Sequence, residues 1–155
     1  MNEPFKPPEV NSPNETANAD WYDQKFAGVA SYGDHYSVSE YYVLWTQVIQ
    51  LMKKLGAESV FEVGCGPGQF ANYLLDQGFT SYRGFDFSPK AVELAKARVD
   101  MDFHVRDALD PKSYDQEPDV IVCLETLEHI ENDWKVLECW PKGTSVLISL
   151  PNFNE

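Results

Sequence analysis

At 155 residues the chain suits a single domain with one core, and 43% hydrophobic and 14% aromatic residues are ample for folding. Twelve basic against twenty-five acidic residues leave a formal charge of −13, so attraction to a phosphate backbone or an anionic membrane has the wrong sign. No stretch approaches the ~18 apolar residues of a membrane span, and the N-terminus lacks a basic-then-apolar signal pattern. The expected partner is a small molecule, and the expected compartment is the cytoplasm. Cys65, Cys123 and Cys139 show no metal-type spacing and read as reduced thiols.

Residues 1–20 carry four prolines, four asparagines and few large apolar groups, the composition of a disordered lead. Trp21, Tyr22, Phe26, Tyr32, His35 and Tyr36 then cluster, with Gly28, Gly33 and Asp34 breaking any long helix. A short helix followed by a loop is expected; its aromatics either cover a sheet or border a ligand. Residues 37–55 read as the clearest helix. Ser37 and Glu40 fit a capping box, and Gly56 fits a left-handed C-terminal stop. Tyr41, Leu44, Trp45, Val48, Leu51, Met52 and Leu55 recur at helical spacing and are expected in the core.

A β-rich run at residues 59–63 ends in Gly64, Gly66 and Gly68, and a helical pattern opens at Gln69 and closes before Gly78. Strand, glycine turn and helix bring backbone N–H groups and a positive helix end against a nucleotide-like ligand. In the dinucleotide fingerprint the third glycine falls one residue later, at the place of Gln69, which weakens a nicotinamide reading. A second strand at residues 81–85 leads to Asp86, about twenty residues past the loop, where an acid meets ribose hydroxyls. Ser88-Pro89 then caps a helix over residues 91–99. A third strand (101–106) contains His104, read as structural, and ends at Asp107. Residues 109–119 are too short and proline-broken for a long crossover helix. A fourth strand (119–124) looks buried on both faces and runs into Glu125, Glu128 and His129, whose spacing lets them share one helical face. A short helix (132–140), a turn (141–143) and a fifth strand (144–150) complete the pattern. Alternating strands and helices argue for a parallel sheet with right-handed crossovers.

Glu62-Val-Gly-Cys-Gly-Pro-Gly, Gly84-Phe-Asp-Phe-Ser, Asp107 after the third strand and Glu125-x-x-Glu128-His129 after the fourth together resemble the class I S-adenosylmethionine-dependent methyltransferases. The resemblance implies a Rossmann-like α/β domain over residues 21–155, an open, mostly parallel sheet of about five strands in the order 3-2-1-4-5 with flanking helices. Two further strands of the family fall outside this sequence. The fifth strand is then an open edge, and a homodimer through it is expected.

By the same resemblance Glu62 serves the amino group of the methionine part, and Gly64, Cys65, Gly66, Gly68 and Gln69 form the loop beneath the cofactor. Asp86 takes the ribose hydroxyls, Phe87 borders the adenine, Asp107 and Ala108 meet its amino group, and Leu124 closes the site at the fourth strand. Tyr22, His35 and Tyr36 are candidates for the aromatic segment that folds over the methionine end in many members. His129 and Glu125 are the expected catalytic pair, acting on a hydroxyl or amine. Related E-x-x-E-H motifs hold a divalent metal in small-RNA 2′-O-methyltransferases and, in part, in ubiquinone-pathway O-methyltransferases; that arrangement stays open here but is not favoured. The alternatives are a non-catalytic S-adenosylmethionine-binding module and a metal-assisted RNA 2′-O-methyltransferase.

Overall fold

A computed structural model describes residues 19–28 and 30–151. Five strands, β1 (Ser59–Val63), β2 (Ser81–Asp86), β3 (Asp102–Val105), β4 (Val120–Leu124) and β5 (Ser145–Ser149), form one parallel sheet in the order β3-β2-β1-β4-β5. This is the expected order. β1 and β4 sit at its centre, and every residue of β4 is buried, as a strand covered on both faces requires.

Five helices cover the sheet: α1 (Ala19–Gly28), α2 (Tyr42–Leu55), α3 (Gln69–Asp76), α4 (Pro89–Arg98) and α5 (Asp133–Cys139). Side chains alternate between faces along each strand. One core cluster joins Val60 and Val122 to Trp45, Ile49 and Met52 of α2, Phe70 and Leu74 of α3, and Val92 and Ala95 of α4. The other joins Phe61, Val63, Ile121 and Cys123 to Leu127, Val136 of α5 and Trp140.

Two expectations about the second helix need correction. α2 begins at Tyr42, not at residue 37, and Tyr36–Val38 form a 3-10 turn. No Ser37–Glu40 box forms, because the Ser37 N–H is taken by His35 Nδ1 (3.3 Å). Tertiary contact overrides the local cap: the Tyr36 hydroxyl donates to Asp76 Oδ2 at 2.6 Å and its ring stacks on Tyr73 of α3. The buried stripe is Trp45, Val48, Ile49 and Met52, while Leu51 (45% exposed), Leu55 (54%) and Tyr41 lie on the flanks. The stop at Gly56 is as expected, at φ 69°. So is the cap of α4, where Ser88 Oγ accepts from Ala91 N at 3.0 Å. Residues 109–119 contain only the 3-10 turn Pro111–Ser113. Of the expected disordered lead, residues 1–18 lie outside the described residues, and Ala19 and Asp20 already belong to α1.

Gly64 and Gly78 both hold a positive φ, at 75° and 90°, but a Cβ on Gly64 collides with the Thr126 side chain whereas one on Gly78 meets nothing within 4 Å. Gly64→Ala should therefore lower stability by about 2–3 kcal/mol, strain plus collision. Gly78→Ala should cost about 1 kcal/mol, from strain alone. Denaturant unfolding of the two variants checks the difference; equal losses would mean that the Thr126 loop gives way.

Candidate active site

The carboxyl ends of β1, β2 and β4 converge, as ligand sites of open parallel sheets do. Asp86 closes β2 with its carboxylate almost wholly buried. Oδ2 accepts from Gly66 N at 3.0 Å and Oδ1 from Ser88 N at 2.9 Å. Burial pushes the Asp86 carboxyl up to about 6, against the pull of the N–H groups of Ser88 and Gly66. The glycine loop is latched to the same strand, since Gly64 N and Cys65 N both donate to Phe85 O at 2.9 Å.

The three glycines do different work. Gly64 lets the loop approach Thr126 after β4, while Gly68 opens α3 in a left-handed conformation and packs so close to α4 that an added Cβ would lie 3.0 Å from Ala95 Cα and Cβ. Gly66 is the one with room above it, where an added Cβ meets only the Phe26 ring at 3.9 Å. Cys65 is buried and its thiol is pushed well above the ordinary range by burial. Gln69 does not face the loop: its amide donates to Ser31 O (3.3 Å) and Asp34 O (3.0 Å), pinning the preceding segment.

Glu62, on the buried stretch of β1, is 4% exposed, and its Oε2 accepts a hydrogen bond from the Tyr82 hydroxyl. Burial raises the Glu62 carboxyl to about 8; the Tyr82 hydrogen bond opposes that rise and Asp86 adds to it.

α1 lies across the start of α4, anchored by Asp23 Oδ1, which accepts from Ser88 Oγ and from Lys90 N at 3.2 Å. Arg98 straps the segment behind it: its guanidinium donates to Pro67 O and Asp34 O at 2.9 Å each, and to Tyr32 O. This places the Tyr22 ring edge-on to Phe87 (5.2 Å) and to His129 (6.0 Å). Burial raises the Tyr22 hydroxyl above its usual range, and the charges of Asp86 and Glu128 add to that. His35 and Tyr36, the other aromatic candidates, instead pack on each other and on α3.

After β4 the chain does not continue as a helical turn. Glu125 takes a left-handed φ of 50°, and Leu127–His129 form a 3-10 turn. Glu125 is drawn to β5, its N–H donating to Ser149 O (3.2 Å) and its Oε1 accepting from Ser149 Oγ (2.8 Å). Glu128 and His129 stay together, Oε1 to Nε2 3.7 Å, with Glu128 Oε2 buried and without a hydrogen-bond partner. Burial raises the Glu128 carboxyl. Among the described residues no three His, Cys, Asp or Glu side chains converge as a metal set. The expectation that Glu125, Glu128 and His129 share one face is therefore corrected: the left-handed residue turns the first away from the other two.

The remaining expected contacts differ in exposure. Phe87 is 40% exposed beside Asp86. Asp107 Oδ1 accepts from Leu109 N at 2.8 Å, and Ala108 and Leu124 are buried. His104 Nε2 lies 2.8 Å from Asp102 Oδ1 on the sheet edge. Asp23, Tyr82 and Arg98 were not singled out in the sequence. Asp23 and Arg98 carry no local signal, while Tyr82 becomes visible once the register pairs Glu62 with Gly84.

A Rossmann-like parallel sheet in this order, with an acid at the tip of β2 and a glycine turn after β1, defines a class I methyltransferase fold. Residues 34–153 match the model of the family described as "Methyltransferase domain", and the chain belongs to that family. It is 32% identical over 89 residues to a ubiquinone biosynthesis O-methyltransferase of Thiobacillus denitrificans, covering 54% of this chain and 38% of that protein. It is 27% identical over 100 residues to the Rickettsia bellii protein of the same name, covering 59% of this chain and 41% of the other. The chain thus spans about two fifths of the curated relatives it matches. Among solved structures it resembles the plantazolicin methyltransferase BpumL in complex with S-adenosylhomocysteine (TM-score 0.59, 21% identity, 82% of this chain and 56% of that one). It also resembles the sugar N-methyltransferase KedS8 of Streptoalloteichus (TM-score 0.63, 19% identity, 91% and 57%). At those identities the likeness is one of fold.

The raised Glu62 carboxyl has a consequence for stability. The folded chain holds that proton to about pH 8, whereas the unfolded chain releases it near 4.3. Between those values the folded state binds more protons, so stability falls as pH rises. Unfolding midpoints measured from pH 5 to 8 should fall more steeply in the wild type than in Glu62→Gln; parallel slopes would mean that Glu62 ionises freely.

Proposed function

We propose that this domain binds S-adenosylmethionine across the carboxyl ends of β1, β2 and β4 and transfers its methyl group to a small-molecule hydroxyl or amine. The observation that carries the reading is Asp86, a buried acid holding the glycine loop through Gly66 N and the start of α4 through Ser88 N. Each of its oxygens keeps a lone pair, which suits a charge-assisted bond to a ribose hydroxyl. The donor set fits the rest of that ligand: the Phe87 ring stands exposed beside Asp86, Gly66 has open room above it, and Glu62 supplies a counter-charge. Asp107 and Ala108 would border the adenine.

When bound, the sulfonium supplies an already activated methyl group. The protein holds the acceptor in line, excludes water and, for a hydroxyl acceptor, removes a proton. His129 is the proposed base, half exposed between Tyr22 and Glu128. Glu128, rather than Glu125, is its carboxylate neighbour and stabilises the imidazolium that forms; Glu125 ties the loop to β5. The names of the curated relatives support an oxygen acceptor. A charge of −13 supports a small acceptor over RNA, and we place the protein in the cytoplasm. No helix among the described residues is long and apolar enough to cross a membrane. A non-catalytic S-adenosylmethionine-binding module is the second reading, supported by the exposed Val146 and Ile148 of β5, the outermost strand among the described residues.

Calorimetry with S-adenosylhomocysteine should show binding that Asp86→Ala weakens by about 1.5–3 kcal/mol, the worth of a hydrogen bond to a charged group. A wild-type chain that ignores the ligand, or prefers NAD, sinks the reading. With a hydroxyl acceptor, turnover should survive chelation and vanish in His129→Ala. Binding without turnover on any acceptor points to the module, and loss restored by added metal points to the ion. The same β5 edge supports a homodimer, which light scattering should detect and which Ile148→Lys should dissociate.

A further inference from the structure

Tyr82 is a buried titratable side chain that the proposed reaction leaves unused. Parallel pairing sets Glu62 opposite Gly84, and Tyr82, two residues earlier, points to the same face. The absence of a side chain at Gly84 is the condition for the contact, because a Cβ there falls on the Tyr82 hydroxyl and ring carbon. The ring packs edge-on to Phe103 at 5.4 Å and belongs to the core, so phenylalanine would fill the same space. What the hydroxyl adds is the hydrogen bond to Glu62 Oε2.

We infer that Tyr82 is a positioning residue for the cofactor's amino group, holding Glu62 so that the site exchanges a Glu62 proton for the ligand's ammonium cation. This rests on the cofactor reading above. The exchange balances: a neutral Glu62 carboxyl releases one proton to solvent, and the carboxylate formed is matched by the incoming positive charge. The Tyr82 hydrogen bond persists and strengthens as its acceptor becomes charged.

The surroundings support such an exchange. Burial holds the Glu62 proton to about pH 8 in the free protein. Tyr82 and Asp86 on β2 act on Glu62, and Glu62 in turn acts on Cys65 in the glycine loop and Cys123 on β4. Tyr82, Cys65 and Cys123 are themselves raised by burial, so they stay neutral near pH 7. Glu62 and Asp86 are the two carboxyl side chains buried among the described residues. The helices over this face present apolar groups, Trp45 of α2 and Phe70 of α3 among them. Asp86, raised only to about 6, is already mostly ionised at pH 7.

The test counts protons. Calorimetry of S-adenosylhomocysteine binding at pH 7, repeated in buffers of different ionisation enthalpy, should show about 0.9 proton released from Glu62, the fraction bound one unit below its midpoint. Glu62→Gln should lose that release. Tyr82→Phe removes a bond that favours the carboxylate, so release should persist at pH 9, where the wild type has little left to give. The ligand's own amino group is common to all three proteins, so their differences isolate the pair. In the free protein, the carboxyl carbon of Glu62 followed by NMR should titrate near pH 8, and higher in Tyr82→Phe. A tyrosine that merely fills space would change the melting temperature without moving the proton count or that midpoint. Binding with equal release in wild type and Glu62→Gln, or a Glu62 midpoint unmoved in Tyr82→Phe, overturns the inference alone. No binding of S-adenosylhomocysteine overturns the cofactor reading together with it.

Discussion

The structure depends on one buried carboxylate. Asp86, at the end of β2, ties the glycine loop after β1, 20 residues earlier, to the start of α4, which follows it directly. Removing an ion from water is costly, and only bonds to its charged form make the position tenable. Here the donors are backbone N–H groups at a tight loop and at a helix start, where unpaired donors are available. The loop then has its shape whether or not a ligand is present, which is what a preorganised site requires. Ser88 extends the same unit outward: its N–H serves Asp86, while its hydroxyl accepts from Ala91 N and donates to Asp23 of α1.

That chain of bonds explains why the aromatic segment lies where it does. α1 has a weakly patterned sequence, and tertiary packing rather than propensity fixes short helices of this kind. Asp23 sets its position against α4, Arg98 and Gln69 hold the carbonyls that follow, and Tyr22 is carried between Phe87 and His129. The tip of β2 and the His129 loop are therefore joined through side-chain contacts as well as through the sheet.

Much of the framework was legible from sequence because it rests on local rules. The strand–glycine–helix run, the Ser88-Pro89 cap and the left-handed stop at Gly56 each depend on neighbours a few residues away. The strand order was legible only through family resemblance, since nothing local dictates which strands pair. The errors share a cause. Ser37 had a suitable partner in Glu40, but Tyr36 found a better one in Asp76, forty residues distant. Leu51 and Leu55 fit the helical period yet sit beyond the arc that meets the sheet. Gln69 occupies a position next to the glycines, and only the path of residues 31–34 shows that its amide faces them.

The segment after β4 shows how one dihedral angle redistributes chemistry. As a regular turn, Glu125, Glu128 and His129 would project side by side, and a metal set would be a natural reading. A left-handed conformation at Glu125 is unfavourable for a residue with a Cβ and persists only when surrounding contacts over-determine it. Those contacts are present: Ser149 accepts from the Glu125 N–H, and its hydroxyl donates to the Glu125 carboxylate. The result separates an acid bonded to β5 from one that stays beside His129. Glu125 aligns the loop on β5, and Glu128, with one buried oxygen unsatisfied, stays beside His129. A carboxylate that keeps its neighbour in the charged form gains most where water is scarce, so Glu128 is the better placed of the two to support proton transfer.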